Sequence, residues 1–319
     1  MNAPPNADSA QRTSWVQVQL WWRMTRPGFL LLTVVACALG TATAAACGCG
    51  LDVSLAAAAT ALAVLAHATG NVLNDLHDAR NGADAANTQG IAPFTGGSRL
   101  IQTGQATERQ TAELAKALLV FLVPAGLWLA VQVGSGQVLL LGAAGLALAW
   151  AYSAPPLRLM SRGLGELAVA LVWFLVVIGA DLVQRQQWFP IPASVALSFS
   201  GLVAALLLIN GFPDAEADAR VGKKTLVVQL GPATASLLYL ALVVSTHLWL
   251  GLSVMWLIPP AEALWGLVSA PLSLTAATLL WRHRHQPQRL RLALRLSVMA
   301  VLVHGLAMTA GFAWLGWNR

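Results

Sequence analysis

Charged residues are scarce in this chain of 319 residues, where they make up 10% of the sequence against about a quarter in a typical soluble domain. Hydrophobic residues make up 57%. This balance excludes an ordinary soluble fold. The basic residues lie in short loops between apolar runs and form no clustered patch, so a nucleic-acid partner is not expected. The composition predicts instead a protein whose surroundings are the lipid bilayer.

Cysteine is also scarce, with three residues, Cys37, Cys47 and Cys49. No matching His/Cys pair elsewhere indicates a zinc site, and a single residue between Cys47 and Cys49 is poor spacing for a disulfide, so we interpret all three as small membrane residues. The first 20 residues lack a basic stretch leading into a short apolar core, so no cleaved signal peptide is predicted. Residues 1–14 are expected to be a disordered tail.

Long apolar runs are abundant after residue 28, and nine of them are long enough to cross the roughly 30 Å hydrocarbon core as helices. They are residues 29–49, 53–74, 112–132, 137–153, 164–184, 190–212, 234–255, 261–281 and 293–315. The predicted fold is therefore an all-α polytopic membrane protein. With a cytoplasmic N-terminus, every basic residue except Arg185 and Arg319 falls on the cytoplasmic side, as the positive-inside rule requires. Residues 1–28 then form a cytoplasmic tail and interfacial segment, and residues 29–319 form the nine-helix domain.

The 13 acidic residues are few, and two groups of them are close in sequence. They follow the second and sixth apolar runs, at the predicted cytoplasmic face: Asp75, Asp78, Asp84, Asp214, Glu216 and Asp218. Asn71 lies four residues before Asp75, as Asn210 does before Asp214, so each pair shares one helical face. One such group alone is compatible with a solvated helix end. Two groups with the same frame favour a site built by internal duplication.

Carboxylates one helical turn apart repel each other, and at a membrane boundary their desolvation adds a cost, so a compensating cation is expected. Mg²⁺ typically takes one or two carboxylates plus phosphate oxygens, and two facing groups are able to hold such ions around a diphosphate. Side-chain amides complete the shell, and nearby basic residues supply positive charge for phosphate oxygens. The residues concerned are Asn71, Asn74, Asn210, Arg80, Arg220, Lys223 and Lys224. For the two lysines, the alternative is a purely topological role.

At these motifs the sequence resembles the UbiA superfamily of intramembrane prenyltransferases. The first motif of that family is usually Asn-Asp-x-x-Asp-x-x-x-Asp. Here Asn74, Asp75 and Asp78 match it, while Gly82 takes the third aspartate position and Asp84 follows two residues later. This variant is similar to the MenA-like branch, which prenylates 1,4-dihydroxy-2-naphthoate in menaquinone synthesis. The departure makes Asp84 a weaker candidate ligand than the other acids.

Further segments typical of the same branch occur in order along the chain. They are Thr95-Gly96-Gly97-Ser98-Arg99, Tyr152-Ser153-Ala154-Pro155-Pro156-Leu157-Arg158-Leu159, Gly163-Leu164-Gly165-Glu166 and Gly222-Lys223-Lys224-Thr225-Leu226. Each is modest alone, but the ordered set is specific. One departure lies in the fifth predicted helix, where Phe174-Leu175 stands in place of the branch's Phe-Gly. That change puts a larger side chain at a position that bears on the cavity.

The resemblance implies nine transmembrane helices around a central cavity and a transferase that uses Mg²⁺ to ionise an isoprenyl diphosphate. The prenyl group then passes to an aromatic acceptor, for which 1,4-dihydroxy-2-naphthoate is expected. The predicted topology puts the active site at the cytoplasmic face of the cell inner membrane. The expected catalytic and metal-binding residues are Asp75, Asp78, Asp214 and Asp218, with Asn71, Asn210 and Asp84 as further metal ligands. The expected substrate-binding residues are Asn71, Asn74, Arg80, Arg99, Tyr152, Arg158, Lys223 and Lys224.

Several alternatives stay open at this point. A transporter or channel also uses intramembrane acids, although its site usually lies near the bilayer midplane, and an inactive scaffold is a third class. Other acceptors for the same chemistry are 4-hydroxybenzoate, homogentisate, haem, a glycerol-phosphate lipid and a sugar phosphate. Arg99 and Arg158 also fit a topological role, Tyr152 an interfacial one and Glu166 a helix-dipole one. The basic tract of residues 281–285 is expected to bind the membrane surface rather than a metal.

Overall fold

The structure is a computed structural model that describes residues 7–48 and 50–318, with side chains from residue 15 onward. The described part is helical and contains no strand. Its α-helices are α1 (Ala7–Met24), α2 (Pro27–Ala46), α3 (Val53–Asn81), α4 (Ala83–Ala86), α5 (Glu108–Val133), α6 (Gly136–Ser153), α7 (Gly165–Arg185), α8 (Pro190–Arg220), α9 (Leu226–Met255), α10 (Ala270–His283) and α11 (Arg291–Trp317). Short 3₁₀ segments cover Leu159–Arg162, Ala261–Ser269 and Pro287–Arg289.

Nine helices within the described residues are long and apolar enough to cross a membrane. Eight of them are α2, α3, α5, α6, α7, α8, α9 and α11, and the other joins the 3₁₀ segment Ala261–Ser269 to α10. The number and order of these spans agree with the apolar runs of the sequence. The prediction of an all-α, nine-span fold is therefore confirmed, while the orientation of the N-terminus stays a prediction.

Two local expectations are wrong. Residues 7–14, expected to belong to a disordered tail, form the start of α1, and residues 1–6 lie outside the described part. Cys47 is disulfide-bonded, contrary to the expectation from spacing. It caps α2, and the chain turns at Gly48 with a φ of 76°, so helical spacing does not apply there. Cys49 lies outside the described residues, and Cys37 is a buried free thiol.

The two helices that carry the acidic motifs extend well beyond the predicted apolar runs. Helix α3 begins where Asp52 accepts a hydrogen bond from the Leu55 amide, and it ends at Gly82, which has a φ of 81°. Such a capping acid and a left-handed glycine are typical helix boundaries. Helix α8 likewise continues to Arg220. Both groups of carboxylates therefore lie on the last turns of helices, or directly after them, with their relative angles set by helix geometry.

The two helices that carry the acidic motifs are buried to different extents. Helix α8 packs against α7, α9 and α11. In its most apolar stretch of 18 residues, 72% is buried, against 11% in the corresponding stretch of α3. The core around α8 includes Phe199, Leu208, Val177 and Val243, all of which are fully buried. Helix α3 packs mainly against α2 and α5. One acidic motif is therefore carried by the best-packed helix of the bundle and the other by a helix with large open faces.

Candidate functional site

Two adjoining cavities lie among α2, α3, α6, α7 and α8. The larger, which we call the apolar cavity, has a volume of about 670 Å³ and is lined mostly by apolar side chains. The smaller, which we call the polar cavity, has a volume of about 110 Å³ and is lined by residues of both acidic motifs. Arg26, Asn74, Tyr152 and Asn210 line both cavities. These four polar side chains mark the boundary between a charged compartment and an apolar one.

Lys223 bridges one carboxylate from each acidic motif. Its Nζ atom lies 3.1 Å from Asp78 Oδ1 on α3 and 3.1 Å from Asp218 Oδ1 on α8. All three residues are buried. Burial acts to lower the pKa of Lys223, but the two carboxylates outweigh it and hold the pKa above its usual range. A charged ammonium group therefore joins the two motifs at the centre of the site.

The asparagines of the first motif have different partners. Asn74 Nδ2 donates a hydrogen bond to Asp78 Oδ2 at 3.1 Å, and Asn81 Nδ2 donates to Asp78 Oδ1 at 3.1 Å. Asn71 Nδ2 donates instead to the carbonyl of Thr25 at 2.9 Å. Asn74 therefore orients a carboxylate of the site, whereas Asn71 ties α3 to the connection between α1 and α2.

The segment between α4 and α5 brings hydrogen-bond donors to both acidic motifs. Asn87 Nδ2 donates to Asp214 Oδ1 at 2.6 Å, and the Gly96 amide donates to Asp214 Oδ2 at 3.2 Å. The Ser98 amide donates to Asp75 Oδ2 at 3.1 Å. Since the same segment contacts an acid of α3 and an acid of α8, it holds the two motifs in a fixed relation.

Gly97 is required where this segment meets the carboxylates. Its φ is 68°, and a Cβ atom there would lie 2.9 Å from Asp84 Oδ2 and 3.0 Å from Asp75 Oδ1. A side chain at this position would therefore be strained and would collide with both acids. Asp75 Oδ1 is buried without a hydrogen-bond partner among the described residues. Burial, together with the charges of Asp78 and Asp75, raises the pKa of Asp84 to about 8.

The donor chemistry of these oxygens fits a divalent cation. Asp75 and Asp84 supply hard oxygen donors around Gly97, and a cation beside them would offset the burial and the charge repulsion that together raise the pKa of Asp84. Among the described residues, no three His, Cys, Asp or Glu side chains already converge as a metal site. Lys223 holds Asp78 and Asp218 instead. A metal ion bound by those two acids would therefore compete with the lysine.

Most of the acids and amides predicted for the site do come together. The predicted site residues that line the polar cavity are Asn74, Asp78, Asp84, Tyr152, Asn210, Asp214, Asp218 and Lys223. Asn71 lines the apolar cavity. Asn210 Oδ1 is buried, and no described residue donates a hydrogen bond to it. The side chain of Asn210 therefore has an unmatched acceptor at the boundary between the cavities.

Four of the predicted basic residues lie outside the lining of both cavities. Arg80 pairs with Glu108 at 3.4 Å, and about half of each side chain is exposed. Arg99 has a φ of 59°, and its Nη1 donates to the carbonyl of Asn87 at 2.8 Å, so it supports the connecting segment from within. The two others are exposed, namely Arg158 and Lys224. A role for these four in substrate binding stays a prediction.

The structure also places two further acids, Glu216 and Glu166, and the side chain of Leu175 on α7. Glu216 pairs with Arg220 at the end of α8 and accepts a hydrogen bond from Gln89 Nε2 at 2.7 Å, so it is turned away from the polar cavity. Glu166 lines the polar cavity, and Leu175 lines the apolar one. The departure from the family pattern at Leu175 therefore does reach the cavity wall. Residues 281–285 line neither cavity.

Two residues of the site escaped the sequence analysis. Arg26, in the α1–α2 connection, has a φ of 55° and lines both cavities. In the sequence it is one more basic residue beside a span, which the positive-inside rule already explains. Asn87 lies in a loop with no periodicity, so no spacing rule points to it. For Arg26, the sequence feature that pointed to the site was its position directly before Pro27, at the predicted membrane face that also carries the acids.

Comparison with known proteins gives a consistent result. A model of the UbiA prenyltransferase family matches residues 30–299. The 1,4-dihydroxy-2-naphthoate octaprenyltransferase of Mycobacterium tuberculosis is 31% identical over 248 residues, which cover 76% of this chain and 80% of the relative. The Escherichia coli protein of the same description is 29% identical over 312 residues, with 94% and 97% covered.

Solved structures share the fold. A UbiA homolog from Aeropyrum pernix K1 superposes with a TM-score of 0.66 at 19% identity, covering 87% of this chain and 96% of that one. A UbiA homolog from Archaeoglobus fulgidus bound to GPP and Mg²⁺ gives a TM-score of 0.59 at 16% identity, with 91% and 99% covered. These structures establish likeness of fold alone. The family match over most of the sequence establishes membership: this chain belongs to the UbiA prenyltransferase family and is a multi-pass membrane transferase.

Proposed function

We propose that this chain transfers a polyprenyl group from an isoprenyl diphosphate to 1,4-dihydroxy-2-naphthoate, as in menaquinone biosynthesis. The observation that carries the proposal is the junction of the polar cavity and the apolar cavity, where Arg26, Asn74, Tyr152 and Asn210 line both. A prenyl diphosphate has the same division, because an anionic head is joined to a hydrocarbon chain. Relatives described as 1,4-dihydroxy-2-naphthoate octaprenyltransferases support this acceptor.

The acids of both motifs are the proposed holders of Mg²⁺. These are Asp75, Asp78, Asp84, Asp214 and Asp218, with the amides of Asn71 and Asn210 completing the set. These residues would hold Mg²⁺, which would supply positive charge to the diphosphate and so make it a better leaving group from the allylic carbon. The Archaeoglobus fulgidus homolog, solved with GPP and Mg²⁺, supports this assignment.

Two cations of the protein itself act on the diphosphate in this proposal. Lys223 lies on the wall of the polar cavity, and its ammonium group is able to turn from Asp78 or Asp218 to a phosphate oxygen. Arg26 faces the same compartment at the boundary with the apolar cavity. Both form charge-assisted hydrogen bonds where negative charge develops as the C–O bond breaks.

The apolar cavity holds the prenyl chain and keeps water from the allylic cation. Its lining is supplied mainly by leucine, valine, alanine and glycine of α3, α5, α6 and α7. Tyr152 lines both cavities, where the acceptor ring has to approach the allylic carbon. The electron-rich ring carbon then attacks that carbon as the diphosphate leaves, and the ring becomes aromatic again when the attacked carbon loses the group it carried, a proton or carbon dioxide.

The orientation that we propose puts the N-terminus and the polar cavity at the cytoplasmic face of the cell inner membrane. The distribution of basic residues supports it, since the loops on that side hold all of them except Arg185 and Arg319. The soluble diphosphate product is then released on the side where the head group entered.

The test is incubation of the purified protein with geranylgeranyl or a longer polyprenyl diphosphate, 1,4-dihydroxy-2-naphthoate and Mg²⁺, followed by mass spectrometry. Asp75→Ala and Asp214→Ala are run beside it, with the exposed acid Glu113 changed to alanine as a matched control. A prenylated 1,4-dihydroxynaphthalene, or the naphthoquinone that air oxidation forms from it, that disappears in the first two variants and persists in the control is the expected result. Turnover with another aromatic acceptor alone would overturn the naphthoate assignment, and no turnover with any acceptor would overturn the proposal.

A further inference from the structure

A second polar position lies inside the apolar cavity, apart from the four residues at its boundary. His67 of α3 and Thr33 of α2 both line this cavity and neither lines the polar one. His67 precedes Asp75 by eight residues, which places it about 12 Å further along the helix axis. Apart from Asn71, one helical turn nearer the boundary, the rest of the lining around them is mostly apolar. A polar pair at this depth is unusual for a wall that only holds a hydrocarbon chain.

The ring of His67 is held in one orientation. Thr33 Oγ1 lies 2.7 Å from His67 Nδ1. On its other side the imidazole meets Trp173 edge to face, with 5.3 Å between ring centroids and an interplanar angle of 87°. Trp173 and Thr33 are themselves buried, so neither partner is free to move aside. The second ring nitrogen, Nε2, has no hydrogen bond to any of the described residues.

The hydrogen-bond partners favour the tautomer of His67 in which Nε2 carries the proton. Thr60 and Thr69, on the same helix as His67, donate their hydroxyl protons to backbone carbonyls. The buried Thr33 hydroxyl makes no hydrogen bond to a carbonyl of the described residues, so His67 Nδ1 is the acceptor that satisfies its proton. A ring that accepts at Nδ1 and is neutral carries its proton on Nε2, and an apolar cavity favours the neutral ring.

We propose that the Nε2–H group of His67 donates a hydrogen bond to an oxygen of the aromatic acceptor and that Thr33 fixes the ring for this contact. The inference rests on the proposed function, since it names the part of the site that recognises the acceptor. A donor that lies in an apolar cavity without a partner costs free energy, and a prenyl chain offers no acceptor atom. A hydroxyl or carboxylate oxygen on an aromatic ring offers one. The prenyl chain then fills the apolar remainder of the cavity.

The first experiment compares three variants by steady-state kinetics, with the KM for the acceptor and the KM for the prenyl diphosphate measured separately. His67→Leu removes the donor and is expected to raise the acceptor KM about tenfold, the loss of one buried hydrogen bond. The KM for the prenyl diphosphate is expected to change less than twofold. His67→Gln, whose amide nitrogen reaches the place of Nε2, restores most of the affinity. Thr33→Val frees the ring and gives an intermediate loss.

Thr309→Val is the matched control for Thr33→Val, because Thr309 donates to a backbone carbonyl of α11 and lines neither cavity. Size-exclusion chromatography in detergent checks that each variant is folded. An equal rise of both KM values in His67→Leu, or no rescue in His67→Gln, assigns His67 a structural role and overturns the inference. An unchanged acceptor KM in both His67→Leu and Thr33→Val overturns it as well.

A second experiment identifies the oxygen that is bound. Wild type and His67→Leu are compared on 1,4-dihydroxynaphthalene, 1-hydroxy-2-naphthoate and 4-hydroxy-2-naphthoate as competitors, each of which lacks one oxygen group of 1,4-dihydroxy-2-naphthoate. For the competitor that lacks the contacted oxygen, inhibition of the two proteins should be equal. Inhibition that differs equally for all three competitors overturns the contact. Failure of wild type to use any aromatic acceptor is a distinct outcome, which removes the proposed function itself.

Discussion

The two acidic motifs are residues 71–84, at and just after the end of α3, and residues 210–218, near the end of α8. Both place an asparagine four residues before an aspartate, yet the two asparagines meet different surroundings. Asn71 donates to the carbonyl of Thr25, whereas Asn210 Oδ1 is buried without a donor. Asp75 accepts from the Ser98 amide, while Asp214 accepts from Asn87 and Gly96.

This difference shows that two motifs with the same asparagine–aspartate spacing do not form two equivalent half-sites. The helix that carries the second motif lies in the packed core, and the helix that carries the first is more open. Lys223, which follows the second motif, has no counterpart after the first and is shared by both through Asp78 and Asp218. The site is therefore one asymmetric centre, and substitutions in the two motifs are expected to have different effects.

The largest effect is expected from the two acids that Lys223 joins. Asp78→Ala and Asp218→Ala should each lower kcat/KM by about 10²–10³, the usual cost of removing one electrostatic contributor to a transition state. Asp78→Ala should also lower the thermal unfolding temperature more, because Asp78 accepts from Asn74, Asn81 and Lys223. Product formation and thermal unfolding in detergent measure the two effects. Retention of more than a tenth of the activity in either variant would contradict the assignment.

Gly97→Ala is expected to have the next largest effect. An added Cβ atom would lie 2.9 Å from Asp84 Oδ2, so either the segment between α4 and α5 or the carboxylates have to shift. Activity should fall by at least about tenfold, since the strain of a positive φ, roughly 1–2 kcal/mol, adds to the collision. Gly222→Ala is the matched comparison, because Gly222 has a φ of 76° but open space around its Cβ position. Equal losses in the two variants would show that only backbone strain matters.

Replacing either asparagine should lower activity, since both are proposed ligands of Mg²⁺, but the two variants should differ in stability. Asn71→Leu leaves the Thr25 carbonyl without its donor and should lower the free energy of unfolding by about 1 kcal/mol. Asn210→Leu removes an unmatched acceptor, so it should leave thermal stability unchanged or raised while lowering activity and the apparent affinity for Mg²⁺. Thermal unfolding and Mg²⁺ titration of activity measure both. A loss of stability in Asn210→Leu with unchanged stability in Asn71→Leu would contradict this prediction.

The smallest effects are expected from the outward-facing arginines of the two motifs. Arg80 pairs with Glu108, and Arg220 pairs with Glu216, in both cases with about half or more of each side chain exposed. Exposed pairs contribute little, so Arg80→Ala and Arg220→Ala should each change the free energy of unfolding by less than about 1 kcal/mol. Chemical denaturation of the detergent-solubilised protein checks this. A larger change in one variant alone would reveal a further contact of that motif.

Much of the fold was predictable because each span carries its own signal. Runs of apolar residues long enough for the bilayer predict helices one by one, and the nine spans of the structure agree with them. The acids and amides of the site were predictable for a similar reason, since Asn74, Asp75 and Asp78 form a local motif on one helix. Loop residues carry no such period. Asn87 and Arg26 were missed. The contact of Arg99 with the carbonyl of Asn87 was not foreseen either, while its role in substrate binding stays a prediction.

The sequence by itself determined the bilayer as solvent, the number of spans and the two acidic motifs, because these depend on local composition and helical spacing. Only the tertiary structure decided which charges meet. It placed Lys223 between Asp78 and Asp218, brought Gly97 against Asp75 and Asp84, and set His67 against Thr33 and Trp173. Such contacts join residues far apart in the chain, so they depend on how the helices pack and are not encoded in any one segment.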